Sequence, residues 1–294
     1  MSRRMVLSGA GWRLKPLLPS AFLRPDLAAA AADPRSWLPA SVPGSVQHDL
    51  WQAGEIADPY AGRNSLAAEW AERRTWLYAR SFVAAPPLSG GRARLRLEGL
   101  DYAARIFLNG AELGEHANPF APFEREVGAL LRRDEPNELL VALAPAPDEQ
   151  DQLGRTSLVR SLKPRMGYWW DFCPRLVNLG LGDASLELSG PARIADLWAR
   201  PRLAADRGSA ELLLEVELDA AAPTHAALAA TVELDGREIC TVGVELDLPA
   251  GASRAELRLP IAAPQLWWPN GAGAQPLYLA RLRVSDPAGG APHD

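Results

Sequence analysis

Short runs in which apolar and polar residues trade places at every step recur from one end of this 294-residue chain to the other. Strand side chains switch faces at each residue, whereas a helix returns to one face every 3.6 residues, so the pattern commits the chain to sheets with one buried side. Arg92 to Leu100 (RARLRLEGL) sets Leu95 and Leu97 on one face and Arg94, Arg96 and Glu98 on the other. Tyr102 to Leu108 continues in the same style, and Asn109-Gly110 then supplies the positive φ that a tight hairpin turn demands. Asn137 to Leu143 and Ala184 to Leu188 add two strands before Pro191. Beyond it, Glu211 to Asp219, Ala226 to Leu234, Arg237 to Leu246, Arg254 to Ile261 and Pro276 to Ser285 form five more runs, with Asp235-Gly236 as a second hairpin dipeptide.

The length argues for about two domains. The texture changes near Gly190 to Ala195, and the regular strand spacing after it is that of an immunoglobulin-like β-sandwich. Helical signals are short. Ser45 to Ala53 can form two turns with Val46, Leu50 and Trp51 on one side, and Asn64 is placed to cap a second piece carrying Leu66 and Trp70. Asp26 to Ala32 is alanine-rich enough for a further turn, ended by Asp33-Pro34. The tail from Ala288 to Asp294 lacks periodicity and is expected to fray.

Several function classes are disfavoured by composition. A net charge of −5 without any basic run removes the electrostatic footprint that phosphate backbones require, so no nucleic-acid partner is expected. No apolar run reaches the length of a membrane span, which leaves a soluble cytoplasmic protein with no membrane partner as the expectation. Cys173 and Cys240 are the only cysteines and read as free thiols. His48, His116, His225 and His293 lack ligand spacing, and neither a phosphate loop, a dinucleotide fingerprint nor a Gly-x-Ser-x-Gly elbow occurs, so no metal and no cofactor is expected.

Arg165 to Leu176 (RMGYWWDFCPRL) concentrates four aromatics, an acid and two arginines. Sugars present apolar C–H faces that stack on indole rings, and their hydroxyls need a carboxylate or guanidinium at a fixed angle. Trp169, Trp170, Asp171 and Arg175 offer both halves of that requirement. The same residues would equally serve as an aromatic-lined loop over a sheet edge, with Asp171 paired to an arginine. Trp267-Trp268-Pro269-Asn270-Gly271 is a second aromatic cluster, read as an interdomain or core-edge anchor before a turn.

Taken in order, the segments Leu7 to Leu14, Val42-Pro43-Gly44-Ser45-Val46 through Asp49-Leu50, Gly54 to Tyr60, Leu97 to Asp101, Ile106 to Gly110, Trp170-Asp171-Phe172 with Pro174-Arg175, and Leu266 to Gly271 with Gln275 to Tyr278 resemble the amino-terminal part of the β-mannosidase branch of glycoside hydrolase family 2. The resemblance implies an all-β chain: a galactose-binding-like jelly-roll sandwich over 1–192, an immunoglobulin-like β-sandwich over 193–287 and a frayed tail over 288–294. It also implies two catalytic glutamates on a carboxy-terminal (β/α)8 barrel, for which this β-textured chain has no room, so no catalytic residue is assigned within it and the chain alone is expected to be inactive. In that reading Trp170 and Asp171 bind the terminal β-mannoside or a related carbohydrate, and Arg175 orients their loop. Phe172, Cys173 and the Leu181 to Ser185 stretch depart from the family pattern and leave the sugar preference open. The rival readings are a free-standing carbohydrate-binding or interaction module, and the same family acting on another β-glycoside.

Overall fold

The computed structural model describes residues 3–85, 89–145, 176–177, 179–287 and 294. The backbone divides into two compact units, one from Arg4–Pro86 and Arg94–Glu187, the other mainly from Leu188–Asp294 together with Pro87–Ala93. Both are built from strands, as the alternation requires.

The first unit contains β1 (Arg3–Val6), β2 (Gly9–Leu17), β3 (Leu38–Val42), β4 (Gly44–Ser45), β5 (Thr75–Phe82), β6 (Ala93–Leu97), β7 (Ala104–Leu108), β8 (Ala111–His116), β9 (Phe123–Glu126), β10 (Asn137–Leu143), β11 (Gly180–Leu181) and β12 (Ala184–Leu188). They form a four-stranded sheet, β1-β12-β6-β9, a six-stranded sheet, β3-β2-β5-β10-β7-β8, and the short pair β11-β4. On β6 the alternation holds: Leu95 and Leu97 are buried, while Arg94 and Arg96 pair with Glu124 across the sheet. Asn109 and Gly110 both adopt positive φ at the β7–β8 turn, and the Asn109 side chain accepts from the Glu138 N–H at 2.9 Å.

β7 departs from the half-buried expectation, because all five of its residues are buried. Its outer face is covered by the segment between β2 and β3, where 3-10 turns at Pro19–Leu23 and Leu27–Ala32 lay Phe22, Leu27 and Ala31 over Leu77, Phe107 and Leu140. Two buried cations hold that cover. Arg105 donates to the Phe22 and Arg24 carbonyls and to both Glu112 oxygens, each at 2.8 Å, and Lys15 Nζ donates to the Ala30 and Asp33 carbonyls at 3.1 and 2.8 Å. Strands buried on both faces read as continuous apolar runs, which is what Leu139 to Leu143 spells.

The helix expected after Pro43-Gly44 is α1 (Val46–Gln52), capped by the Ser45 hydroxyl, which accepts from the His48 N–H at 3.3 Å. The cap expected at Asn64 is not formed. Asn64 is instead the first residue of α2 (Asn64–Ala67), and its amide donates to the Asp58 carbonyl at 2.9 Å, which turns the side chain away from the helix N–H groups.

The second unit contains β13 (Ala192–Leu203), β14 (Ser209–Ala220), β15 (Thr224–Leu234), β16 (Arg237–Leu248), β17 (Gly251–Ala262) and β18 (Tyr278–Ser285), arranged as the sheets β13-β14-β17 and β16-β15-β18. Five of the six coincide with the runs after Pro191. β13 was not among them: it contains Pro201, which cannot donate to a ladder, and such strands sit at sheet edges, where β13 lies. Alternate residues of β14, β15 and β17, among them Leu214, Val216, Leu228, Val232 and Leu259, meet in one core. Asp219 accepts from Arg92 at 2.9 Å and from Arg193 at 3.3 Å. The Trp267-Trp268 cluster forms a loop closed on itself, with the Trp268 N–H donating to the Ala274 carbonyl at 2.9 Å and the Arg207 guanidinium 5.9 Å from the Trp268 ring.

Candidate functional site

The first unit carries an open cleft of about 430 Å³ where three stretches of backbone converge: Pro43–Ser45, Gly99–Asp101 and Leu176–Gly182 apart from residue 178. Glycine makes that convergence possible. A Cβ on Gly180 would lie 2.2 Å from the Gly44 carbonyl oxygen, and one on Gly44 would lie 2.3 Å from the Ser41 oxygen. Gly182 is similarly confined, its Cβ direction ending 2.9 Å from the Glu98 oxygen. Larger side chains would push the strands apart.

Hydrogen bonds lock the same junction. Asp101 and Gly180 exchange both backbone bonds, at 3.0 and 3.1 Å, and the Val46 N–H donates to the Leu179 carbonyl at 2.9 Å. Gln47, buried on α1, donates from Nε2 to the Val177 carbonyl at 2.6 Å. These contacts fix Val177, Leu179 and Gly180 against β4, α1 and Asp101.

Behind the cleft, α1 is tied to the sheet through Asp49. Its carboxylate accepts from the Ser41 N–H at 3.1 Å and from the Tyr78 hydroxyl at 3.2 Å. Burial pushes the Asp49 carboxyl above its ordinary range, partly offset by those donors, and burial likewise pushes the Tyr78 phenol well up.

The cleft is lined by the exposed ring of Tyr60, held on an Asx turn by its N–H donating to Asp58 Oδ1 at 2.9 Å, by the half-buried Ser45 and by the buried Asp101. An exposed aromatic face beside a hydroxyl suits a polyhydroxylated ligand. Asp101 is the one carboxylate among the described lining residues, so no pair of acids for glycosidic cleavage stands among them. Among the described residues no group of three or more His, Cys, Asp or Glu is placed to hold a metal ion, and no helix is long and apolar enough to cross a membrane.

Trp170, Asp171 and Arg175, the site residues expected from the sequence, lie outside the described residues, as does Cys173. Ser45, Gln47, Tyr60 and Asp101 were not picked out by sequence reasoning as site residues. The closest available signal was the glycine spacing at Gly44, Gly180 and Gly182, which marks close backbone approach but not the partner approached.

Comparison with known proteins agrees with this architecture. Residues 27–182 match the profile described as "Glycosyl hydrolase 2 galactose-binding domain-like", and residues 192–292 match "Glycosyl hydrolases family 2". A β-mannosidase B from Thermothelomyces thermophilus is 31% identical over 264 residues, covering 84% of this chain and 30% of its own length. The crystal structure of a β-D-mannosidase from Dictyoglomus thermophilum superposes with a TM-score of 0.78 at 26% identity, covering 98% of this chain and 34% of that one. A Bacteroides uniformis β-glucuronidase shares the fold, with a TM-score of 0.70 at 18% identity, 99% of this chain and 31% of that one. The chain thus spans about 30% of the length of the curated relatives it matches.

Proposed function

Since the chain belongs to glycoside hydrolase family 2, we propose that it is the amino-terminal, noncatalytic segment of a longer β-mannosidase-like exo-glycosidase of the retaining type, which hydrolyses terminal β-mannosides. The observation that carries this reading is joint: β-mannosidases match along both profiles in order, while this chain spans about 30% of their length. In it, a sugar-binding jelly roll over 1–192 precedes an immunoglobulin-like sandwich over 193–287, and the reacting glutamates sit on a (β/α)8 barrel beyond them.

The jelly roll's part is to position the sugar. Trp170 stacks beside the terminal mannose, Asp171 accepts from its hydroxyls, and Arg175 orients their loop. The locked junction at Val177 to Gly182 supports this role, because a loop that must hold a ring needs a fixed point of return, and misplacing a bound substrate costs orders of magnitude in rate. A cytoplasmic location is part of the same proposal, supported by the free thiol of Cys240.

The test is an aryl β-mannoside assay. The purified 294-residue chain should give no turnover. In the longer enzyme, Asp171→Ala should lower kcat/KM by at least about tenfold, the scale of one lost charge-assisted hydrogen bond. Turnover by the short chain that disappears when one of its own acids is changed would overturn the noncatalytic assignment. Unchanged kinetics in Asp171→Ala would remove that residue from the sugar site.

A further inference from the structure

Asparagine followed by glycine is the dipeptide in which a side-chain amide is most open to attack by the next backbone nitrogen, because glycine has no Cβ to shield that nitrogen or to stiffen the chain around it. The chain contains two such dipeptides, Asn109-Gly110 and Asn270-Gly271, and holds them very differently. Asn109 is half-buried, and its carboxamide is occupied at both ends: Nδ2 donates to the Leu130 carbonyl at 2.8 Å and to Asn137 Oδ1 at 2.9 Å, while Oδ1 accepts from the Glu138 N–H at 2.9 Å. The group is thereby fixed toward β10. Turning it onto the Gly110 nitrogen has to break those bonds.

Asn270 and Gly271 form the centre of a turn closed by the Ala272 N–H, which donates to the Pro269 carbonyl at 2.9 Å, with Gly271 taking the positive φ of 83° that its third position demands. Both residues are exposed, and among the described residues neither the Asn270 carboxamide nor the Gly271 N–H has a hydrogen-bond partner. Apart from its chain neighbours, no atom stands within 4 Å of the position a Gly271 Cβ would take, so closing a ring there meets no obstacle. The turn lies inside the loop that the Trp268 N–H closes on the Ala274 carbonyl at 2.9 Å. Two further contacts tighten that loop: Gly273 sits so close to the Trp268 ring that a Cβ on it would fall 2.7 Å from Cδ1, and Gln275 Nε2 donates to the Trp268 carbonyl at 3.2 Å.

We propose that Asn270 is a site of spontaneous covalent change in the folded chain, passing through a succinimide to isoaspartate and aspartate, with water as the co-reactant, and that the isoaspartate opens the Trp268 loop. Asparagine is among the thermolabile residues, and here the reacting groups are free to meet. The Gly271 backbone nitrogen, on losing its proton to base, attacks Asn270 Cγ; the N–Cγ bond forms, the Cγ–Nδ2 bond breaks, and Nδ2 takes up a proton and leaves as ammonia. Water then opens the cyclic imide. Breaking the new N–Cγ bond gives aspartate, whereas breaking the original bond between the nitrogen and the Asn270 main-chain carbonyl gives isoaspartate, whose backbone runs through Cβ and Cγ. Either product gains a negative charge. Isoaspartate also lengthens the main chain by a methylene between Trp268 and Ala274, which draws the Trp268 N–H away from its acceptor.

Peptide mapping by mass spectrometry of the 294-residue chain, aged at mildly alkaline pH, reads the reaction as a gain of about 1 Da. Asn270 should convert at least about tenfold faster than Asn109 in the folded chain, and the two rates should agree within about threefold in urea, where the bonds to Asn109 are gone. Fragmentation by electron transfer should find isoaspartate as well as aspartate at position 270. In Asn270→Gln, whose longer side chain closes only a disfavoured larger ring, the folded peptide should keep its starting mass. Amide exchange at Trp268 should quicken by about tenfold or more in the aged chain and stay unchanged in Asn270→Asp, which adds the charge without lengthening the main chain. Equal rates at Asn109 and Asn270 in the folded chain, or conversion of Asn270 only after unfolding, overturn the assignment of the site. A Trp268 amide equally protected before and after ageing overturns the opening of the loop.

Discussion

Replacing Gly180 by alanine adds one methyl group at the tightest backbone approach of the cleft. Its φ lies outside the left-handed region, so alanine meets no conformational penalty of its own, and the whole cost is spatial. The new Cβ would stand 2.2 Å from the Gly44 oxygen and 3.0 Å from Ser45 Cα, against 3.4 Å or more for an ordinary contact, and both neighbours are backbone that cannot rotate away. The β4–β11 pair must therefore part by more than an ångström. Overpacking of this kind costs about 1–3 kcal/mol. The displacement also loosens the two Asp101–Gly180 bonds, the Val46 to Leu179 bond and the Gln47 to Val177 bond. At about 1 kcal/mol each, losing two of them brings the total to about 3–5 kcal/mol. Calorimetric melting should show the first unit's transition falling by on the order of 10 °C. Gly208→Ala is the control: its Cβ meets only the Asp206 carboxylate at 3.5 Å, so it should be neutral or stabilise by about 0.4–1 kcal/mol through the unfolded chain. A Gly180→Ala protein melting within about 2 °C of the parent would refute the steric argument.

Asp49→Ala leaves the buried Ser41 N–H and Tyr78 hydroxyl without their acceptor and should cost about 2–4 kcal/mol in urea unfolding, whereas Asp49→Asn, which keeps an acceptor and removes the buried charge, should stay within about 1 kcal/mol. Because burial raises the folded carboxyl, Asp49's contribution is complete below its unfolded pKa and is lost as pH rises through the folded one, so the parent should lose ground to Asp49→Asn as pH increases. Asp219 has the opposite sign. Burial alone would raise it, but Arg92 and Arg193 overcome that and hold it below the usual carboxylate range, so its stabilisation is present above the unfolded pKa and disappears as pH falls through the folded one. Arg92→Ala should therefore flatten the acid limb of the stability profile of the second unit and cost about 1–2 kcal/mol at neutral pH, with equal acid sensitivity in the two proteins as the contrary result.

Periodicity was enough to find β6, β10, β12 and β14 to β18, because in each the burial that fixes the strand also fixes the order of its residues. It was insufficient for β13, whose inward residues are not buried and so carry no alternation to detect. It also mistook β7 for a half-exposed strand, since the cover that buries Phe107 comes from a segment about eighty residues earlier in the chain, and no local pattern encodes that distance. The Asn64 cap failed for a related reason: a side-chain amide chooses between the helix and any nearer carbonyl, and Asp58 supplied one. At the site, Trp170, Asp171 and Arg175 could be named only as residue types suited to sugars, and they lie outside the described residues. Ser45 and Asp101 come to one cleft through Gly180, from segments more than fifty residues apart, which sequence spacing cannot reveal.

Lys15 and Lys163 are the only lysines among thirty-one basic side chains, and Lys15 is sealed under the Leu27–Ala32 turn with its ammonium on two carbonyls. Amine-directed reagents applied to the folded chain should therefore leave Lys15 unmodified. Modification of Lys15 would report that the cover over β7 had opened.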